Sequence, residues 1–281
     1  MQTGERVVRT ALAAVAATVM AACFSAPGRA AEPWSESPTI KEIKDRGVLR
    51  AGVSLAAPTA FKNPTTGDLE GIVLQIGRKA ADHLGVELET IETGWDTIIA
   101  GLQADKYDVA LAGLFETPQR LEVVDFVTFG EEGIAFLVQK DNEGISTVED
   151  LQQPGVTIAT VTGSGSEQMI KANFKDVEIK SILSPTGGSG APPEEVLSGR
   201  VDAAQFDAVL TQAYLERFPG LKVVPEDAFE KPLFPTPIGL AVRKDDQLFR
   251  EFLTEMVKGL EAKGQIQEWR AQWSKPELLL N

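Results

Sequence analysis

The sequence predicts an α/β protein made of two parallel-rich units. Strand-like and helix-like segments alternate in two successive runs, the pattern that gives parallel sheets covered by helices. The chain has 281 residues, a length that suits two domains, and 43% of them are apolar, enough for a core in each. The remaining composition narrows function by exclusion. One His excludes a His-rich metal site, and one Cys excludes an internal disulfide or a Cys-ligated zinc. A net charge of −14 argues against nucleic acid or an anionic membrane surface as partner. Scarce His also disfavours general-base hydrolysis. These counts point to a protein that binds rather than catalyses, with no metal or cofactor.

The N-terminus reads as an export signal. Arg6 and Arg9 precede an apolar, small-residue stretch over 10–24 that is too short to span a bilayer. Gly28 and Ala30 then stand at the −3 and −1 positions of a cut before Ala31, giving a signal peptide over 1–30. The run Val19-Met20-Ala21-Ala22-Cys23 resembles a bacterial lipobox, which gives the alternative of a lipoprotein signal over 1–22 and a lipid-anchored Cys23. Removing residues 1–30 takes away three Arg and one Glu, so the exported body carries a net charge of −16.

The elements follow in order. A short helix ends at Gly47, and Val48–Val53 is a buried strand. A helix over 70–84 presents Ile72, Val73, Ile76, Ala80 and Leu84 near one face and stops at Gly85. A strand over 86–91, a helix over 95–104 and a strand over 108–112 complete the first run. Thr117-Pro118 starts a helix, with Thr as N-cap and Pro at the first helical position. Segments 126–129 and 134–138 are extended, and Glu131-Glu132 between them reads as a solvated turn. Ser146 and Glu149 form a capping box opening a helix.

The second run has strands over 156–161, 177–183 and 201–206, a helix that follows the 162–166 loop and runs through Asn173, and helices over 194–197 and 208–217. A Gly/Pro/Ser-rich loop covers 185–193. Strands over 221–224 and 238–242 follow, the latter after a Pro-broken extended stretch over 233–237. The helix bearing Phe249, Phe252, Leu253, Met256, Val257 and Leu260 has a strict amphipathic pattern ended by Gly264, and a last short helix carries Ile266, Trp269 and Trp273.

Ligands of open α/β sheets sit outside the carboxyl ends of the strands. That rule selects residues 54–61, 113–117, 162–166 and Asp207. Ser164-Gly165-Ser166 enters a helix, where free amides and the helix dipole favour an anion. Gly163 and Gly165 allow close backbone approach. The motif lacks the Lys of a phosphate loop, and an ordinary strand–helix turn reads equally well. Arg120, one turn into its helix, suits bidentate grip of a carboxylate or simple solvation. Asp207 ends an apolar strand, where it holds a ligand ammonium or, the stronger reading for the residue alone, caps the next helix. Trp95 is an aromatic wall over a ligand or a cover for a core edge. His83, late in an amphipathic helix, is a surface residue and not a base.

From about residue 38 onward the chain resembles the bacterial periplasmic solute-binding proteins of family 3, the polar amino-acid receptors of ABC importers. The residues that carry the resemblance include Gly47–Val53 (GVLRAGV), Leu69-Glu70-Gly71, and the run from Trp95-Asp96 through Gly101-Leu102, Tyr107-Asp108-Val109, Ala112-Gly113 and Thr117-Pro118-Gln119-Arg120 to Val124-Asp125-Phe126. Gly163–Ser166, Ser198–Ala203 (SGRVDA) and Ile238–Val242 (IGLAV) extend it. The resemblance implies a type II periplasmic-binding-protein fold, with two lobes joined by two crossover strands and closing on a ligand by hinge motion. The crossings near 130–134 and 233–237 divide the chain into lobe 1 (38–131 plus 238–281) and lobe 2 (132–237). It further implies that Arg120 binds a ligand carboxylate with help from Ser164, Gly165 and Ser166. Asp207 and the Gly113 carbonyl then face the ammonium, and Trp95 forms a pocket wall. The implied partners are an amino-acid-like ligand and an inner-membrane ABC permease, for a monomeric periplasmic receptor.

Departures from the family pattern alter the expected ligand. Ala56-Ala57-Pro58-Thr59-Ala60 is small where the family carries an aromatic, and Phe115 stands where the family has Ser or Thr against the carboxylate. Gly71-Ile72-Val73-Leu74-Gln75 replaces the family's Gly-Phe-Asp-x-Asp. The ligand is therefore not assumed to be a standard polar amino acid. Ser54 and Glu116 are further specificity contacts. Two other readings stay open: an accessory or sensor protein for a small carboxylate, and an enzyme of the cyclohexadienyl dehydratase type with Glu116 or Asp207 as its acid.

Overall fold

A computed structural model describes residues 32–188 and 190–275; the expected leader, Cys23 and both processing sites lie outside the described residues. Among the described residues no helix is long and apolar enough to cross a membrane. The first run of elements is α1 (Pro38–Arg46), β1 (Val48–Val53), β2 (Phe61–Lys62), β3 (Leu69–Glu70), α2 (Ile72–Leu84), β4 (Glu87–Glu92), α3 (Ile98–Gln103), β5 (Val109–Phe115) and α4 (Pro118–Leu121). Strand β6 (Asp125–Gln139) leads to the second run: β7 (Thr157–Val161), α5 (Gly165–Asn173), β8 (Glu178–Ile182), α6 (Ala191–Leu197), β9 (Ala203–Asp207), α7 (Thr211–Arg217) and β10 (Leu221–Val224). Strand β11 (Leu233–Val242) returns the chain, and α8 (Gln247–Ala262) and α9 (Gln265–Trp273) complete it.

The main sheet has the order β4-β1-β5-β11-β6-β9-β7-β8, with β10 also paired to β6. Strand β1 is parallel to β4 and β5, and β7 is parallel to β8 and β9. These are the two predicted parallel units. Strands β6 and β11 are antiparallel to each other and link the units. The first part of β6 pairs with Ile238–Val242 of β11, which in turn borders β5, and the last part of β6, from Ile134 to Val138, pairs with β9.

The solvated turn expected at Glu131-Glu132 is not there. Both residues lie inside the 15-residue β6, opposite Pro237 and Thr236 of β11. Pairing to a strand on the far side satisfies the backbone, and Glu132 meets Arg270 of α9 at 2.6 Å, so neither charge requires a turn. Other boundaries move for local reasons. Glu70 pairs with Phe61 in β3, so α2 begins at Ile72. Trp95 lies in the turn before α3 rather than in the helix. The capping box is shifted by one residue: Thr147 accepts from the Asp150 amide, and Asp150 accepts from the Ser146 and Thr147 amides. It opens only a three-residue 3-10 turn, because Pro154-Gly155 follows at once. Helix α6 starts earlier than expected, at Ala191, with Pro192 and Pro193 accommodated in its first turn.

Helix stops follow the glycines. Gly47, Gly85 and Gly264 have φ of 76°, 72° and 71°, the left-handed region that favours glycine. Helix α8 buries Phe249, Phe252, Leu253, Val257 and Leu260, the apolar face read from the sequence. His83 is exposed, with its ring 5.4 Å from that of Phe252 and 6.3 Å from that of Trp34.

Beneath the site, Tyr107 locks β1 to α3. Its ring is fully buried and its hydroxyl donates to the Ile98 carbonyl at 2.5 Å. A Cβ at Gly52 would lie 2.4 Å from the Tyr107 ring, and one at Gly101 would lie 2.3 Å from its hydroxyl. Both glycines are thus required by the ring's volume. Gly52→Ala is expected to lower unfolding free energy by about 1–3 kcal/mol through overpacking, measured by urea denaturation.

Candidate functional site

The loops chosen by the strand-end rule meet around one cavity. It encloses about 530 Å³ of empty space, open solvent at its mouth included. The first unit contributes Ala56, Ala57, Thr59, Trp95, Gly113, Phe115 and Arg120, and the second Val161, Ser164–Ser166, Gly188, Gln205 and Asp207. Glu132 enters from the linking strand β6.

Arg120 is the chemical centre. Thr117 caps α4 by accepting from the Arg120 amide, which fixes where the side chain leaves the backbone. The residue is only 4% exposed. Its Nη1 donates to the Phe115 carbonyl and its Nη2 to the Gly163 carbonyl, each at 3.1 Å. Among the described residues no carboxylate is paired with it. Burial brings its pKa down to about 10, so it stays protonated at neutral pH. A buried cation held by neutral dipoles alone is costly unless an anion joins it.

The loop facing Arg120 is built for an anion. Ser164 caps α5 by accepting from the Glu167 amide. The Gly165 and Ser166 amides, first in the helix, have no intrahelical acceptor by construction. Glu167 accepts from the Gly163 amide and from Lys171, each at 2.7 Å, and from Ser181 at 2.5 Å. Burial works to raise its pKa, but those donors hold it below the ordinary value and fix the loop. Gly165 is required here, since a Cβ would come within 2.7 Å of the Phe115 Cβ. Phe115 therefore supplies bulk beside Gly165 while its carbonyl orients Arg120.

At the other end is Asp207. Its side chain makes no capping bond to the turn that follows, which overturns the helix-cap reading. Burial, and then the charge of Glu132, push its pKa up to about 7, against a hydrogen bond from Gln205. The carboxyl group is thus enclosed without a cationic partner among the described residues. Gly113 is backed by Thr59, whose Cγ2 would lie 2.8 Å from an added Cβ, and Trp95 lines the cavity as expected.

Two expected contacts are not brought in. Ser54 is fully buried, and its hydroxyl donates to the Thr93 carbonyl at 2.8 Å, joining the chain ends after β1 and β4. Glu116 accepts from the Thr128 hydroxyl at 2.5 Å, and neither residue lines the cavity. Glu132 and Gln205 are additions. Gln205 had a signal, a polar residue two before Asp207 in an apolar strand and hence on the same face. Glu132 had none, because adjacent glutamates resemble a solvated turn. Among the described residues no group of three or more His, Cys, Asp or Glu could hold a metal ion.

Residues 49–276 match the family described as bacterial extracellular solute-binding proteins, family 3, and the chain belongs to it. Curated relatives include the L-cystine-binding protein TcyJ of Escherichia coli (strain K12), 24% identical over 91% of this chain and 92% of its own. The ABC transporter arginine-binding protein 1 of the same organism is 25% identical over 80% of this chain and 90% of its own. Among solved structures, an ancestral amino acid-binding protein described as a precursor of cyclohexadienyl dehydratase matches with a TM-score of 0.73 and 31% identity, covering 84% of this chain and 100% of its own. An ancestral arginine-binding protein bound to arginine gives 0.69 and 32%, covering 81% and 98%. The two α/β units, linking strands and intervening cleft are the type II periplasmic-binding-protein fold.

Asp207 makes stability without ligand pH-sensitive. Unfolded, it ionises near 3.8, whereas in the fold it does so near 7. Between these values folding takes up a proton, so stability falls as pH rises through that window, and the loss is complete above it. Asp207→Asn is expected to raise Tm relative to the parent at pH 8 and to have little such effect at pH 4, measured by calorimetry without ligand.

Proposed function

We propose that this protein is the substrate-binding receptor of an ABC importer and captures a small zwitterionic, amino-acid-like solute. The observation that carries this reading is the buried Arg120, unpaired with any carboxylate among the described residues, in one cavity with the enclosed Asp207. The ligand carboxylate joins Arg120 and the Gly165 and Ser166 amides, with the Ser164 and Ser166 hydroxyls at hand. Its ammonium meets Asp207 and the Gly113 carbonyl. An ammonium restores the ionised form of Asp207, so capture at neutral pH releases a proton.

Lobe 1 comprises 38–131 plus 238–281 and lobe 2 comprises 132–237, hinged in β6 and β11. Closure excludes water and strengthens both ion contacts. The mature receptor acts as a periplasmic monomer, either cut before Ala31 or lipidated at Cys23, and passes its ligand to a permease without chemical change. The binding of cystine and arginine by relatives supports an amino-acid head group. Reading the site as a dehydratase has less support, because Glu116 is outside the cavity and Asp207 is taken up by the ammonium.

A thermal-shift series of L-amino acids and related zwitterions on the mature chain tests this. A ligand at one hundred times its Kd stabilises by about 2.7 kcal/mol. Arg120→Ala and Asp207→Ala are expected to abolish that shift. Micromolar binding retained by both variants overturns the zwitterion reading.

A further inference from the structure

Beside the first cavity lies a second, with about 370 Å³ of empty space, open solvent at its mouth included, lined among others by Leu55, Phe61, Phe206, Leu210 and Tyr214. The two share Ala56, Ala57 and Gly188 as lining. That common boundary carries no side-chain atom beyond Cβ. It coincides with the small Ala56-Ala57 stretch of the sequence, so the small wall has a spatial consequence.

The boundary is held by backbone. The Leu55 amide donates to the Thr186 carbonyl at 2.8 Å, and the Gly188 amide to the Leu55 carbonyl at 2.5 Å. This bridge joins the loop after β1 to the loop after β8. It requires glycine at 187, where φ is 90° and a Cβ would lie 2.5 Å from the Leu55 nitrogen. Gly188, at φ 93°, also resists a side chain.

Among the described residues, no side chain lining the second chamber is charged at neutral pH. Tyr214 is the one ionisable residue among them, and burial pushes its phenol up to about 12, so it is neutral at physiological pH. Its ring lies between those of Phe206 and Phe218, tilted to both, with centroids 4.6 Å away in each case. The charges of the first cavity are already committed. Arg120 and Asp207 take the ligand's head group, and Glu132 is ion-paired to Arg270 at 2.6 Å. A terminal cation or anion on the ligand therefore has no counter-charge to meet. An apolar extension gains roughly 25 cal/mol per Å² buried.

We propose that the natural ligand carries an uncharged, largely apolar extension on its zwitterionic head, that this extension passes the Ala56–Ala57–Gly188 boundary into the second chamber, and that Ala57 sets the specificity. The proposal rests on the zwitterion reading above. Calorimetric titration of the mature protein with L-alanine, L-norleucine, L-phenylalanine, L-lysine and L-arginine tests it without any variant. Norleucine or phenylalanine is expected to bind at least tenfold more tightly than alanine and than either cationic amino acid. Ala57→Phe, which fills the boundary, is expected to cost the extended ligand tenfold or more and to remove its advantage over alanine. Tighter binding of lysine or arginine than of norleucine, or an unchanged norleucine affinity in folded Ala57→Phe, overturns the extension and leaves the head-group reading intact. Binding of none of the five overturns the head-group reading, and the extension with it.

Discussion

The buried guanidinium of Arg120 is the constraint around which the rest of the site is arranged. Its two hydrogen bonds go to carbonyls in different parallel units, Phe115 at the end of β5 and Gly163 just after β7. One side chain thus ties together the two faces of the cleft. Neutral dipoles orient the charge without cancelling it. The glycines nearby follow from this closeness: a Cβ at Gly163 would lie 2.4 Å from the Asp96 Cα, and one at Gly165 would meet Phe115. The same requirement explains why the anion loop is fixed from behind by Glu167, Lys171 and Ser181 rather than left to adjust on binding.

The linking strands carry the second constraint. A strand as long as β6 belongs to both units, so a residue at its middle lies between them. Glu132 is that residue. It reaches the cavity, bears on Asp207 through its charge, and is held by Arg270 on α9. Through Arg270 on α9, the Asp207 end of the site depends on the last described helix as well as on the strand-end loops. An arginine from one face and an ion pair at the link both bridge the two units.

Much of the fold was legible because local rules and tertiary packing agree. Gly47, Gly85 and Gly264 stop helices in the left-handed conformation that few other residues accept, and the face of α8 is buried as its periodicity requires. Errors occurred where a distant segment supplied what the local sequence lacked. Glu131-Glu132 became strand because β11 pairs across it, and Glu70 left the helix for β3 because Phe61 was available. Asp207 had the local credentials of a helix cap, yet makes no such bond.

The succession of strands and helices, the loops at strand ends and the residue types of Arg120, Asp207 and the 164–166 turn were all present in the linear sequence, because period, capping chemistry and charge are properties of short segments. Their meeting in one cavity follows from the sheet order, which no short segment encodes. The role of Glu132, the turning aside of Ser54 and Glu116, and the uncharged chamber beyond Ala57 depend on which atoms lie within a few ångströms across chain separations of tens to more than a hundred residues. Pairwise packing at that range is set by how the two units close on each other, and a side chain's identity alone does not carry it.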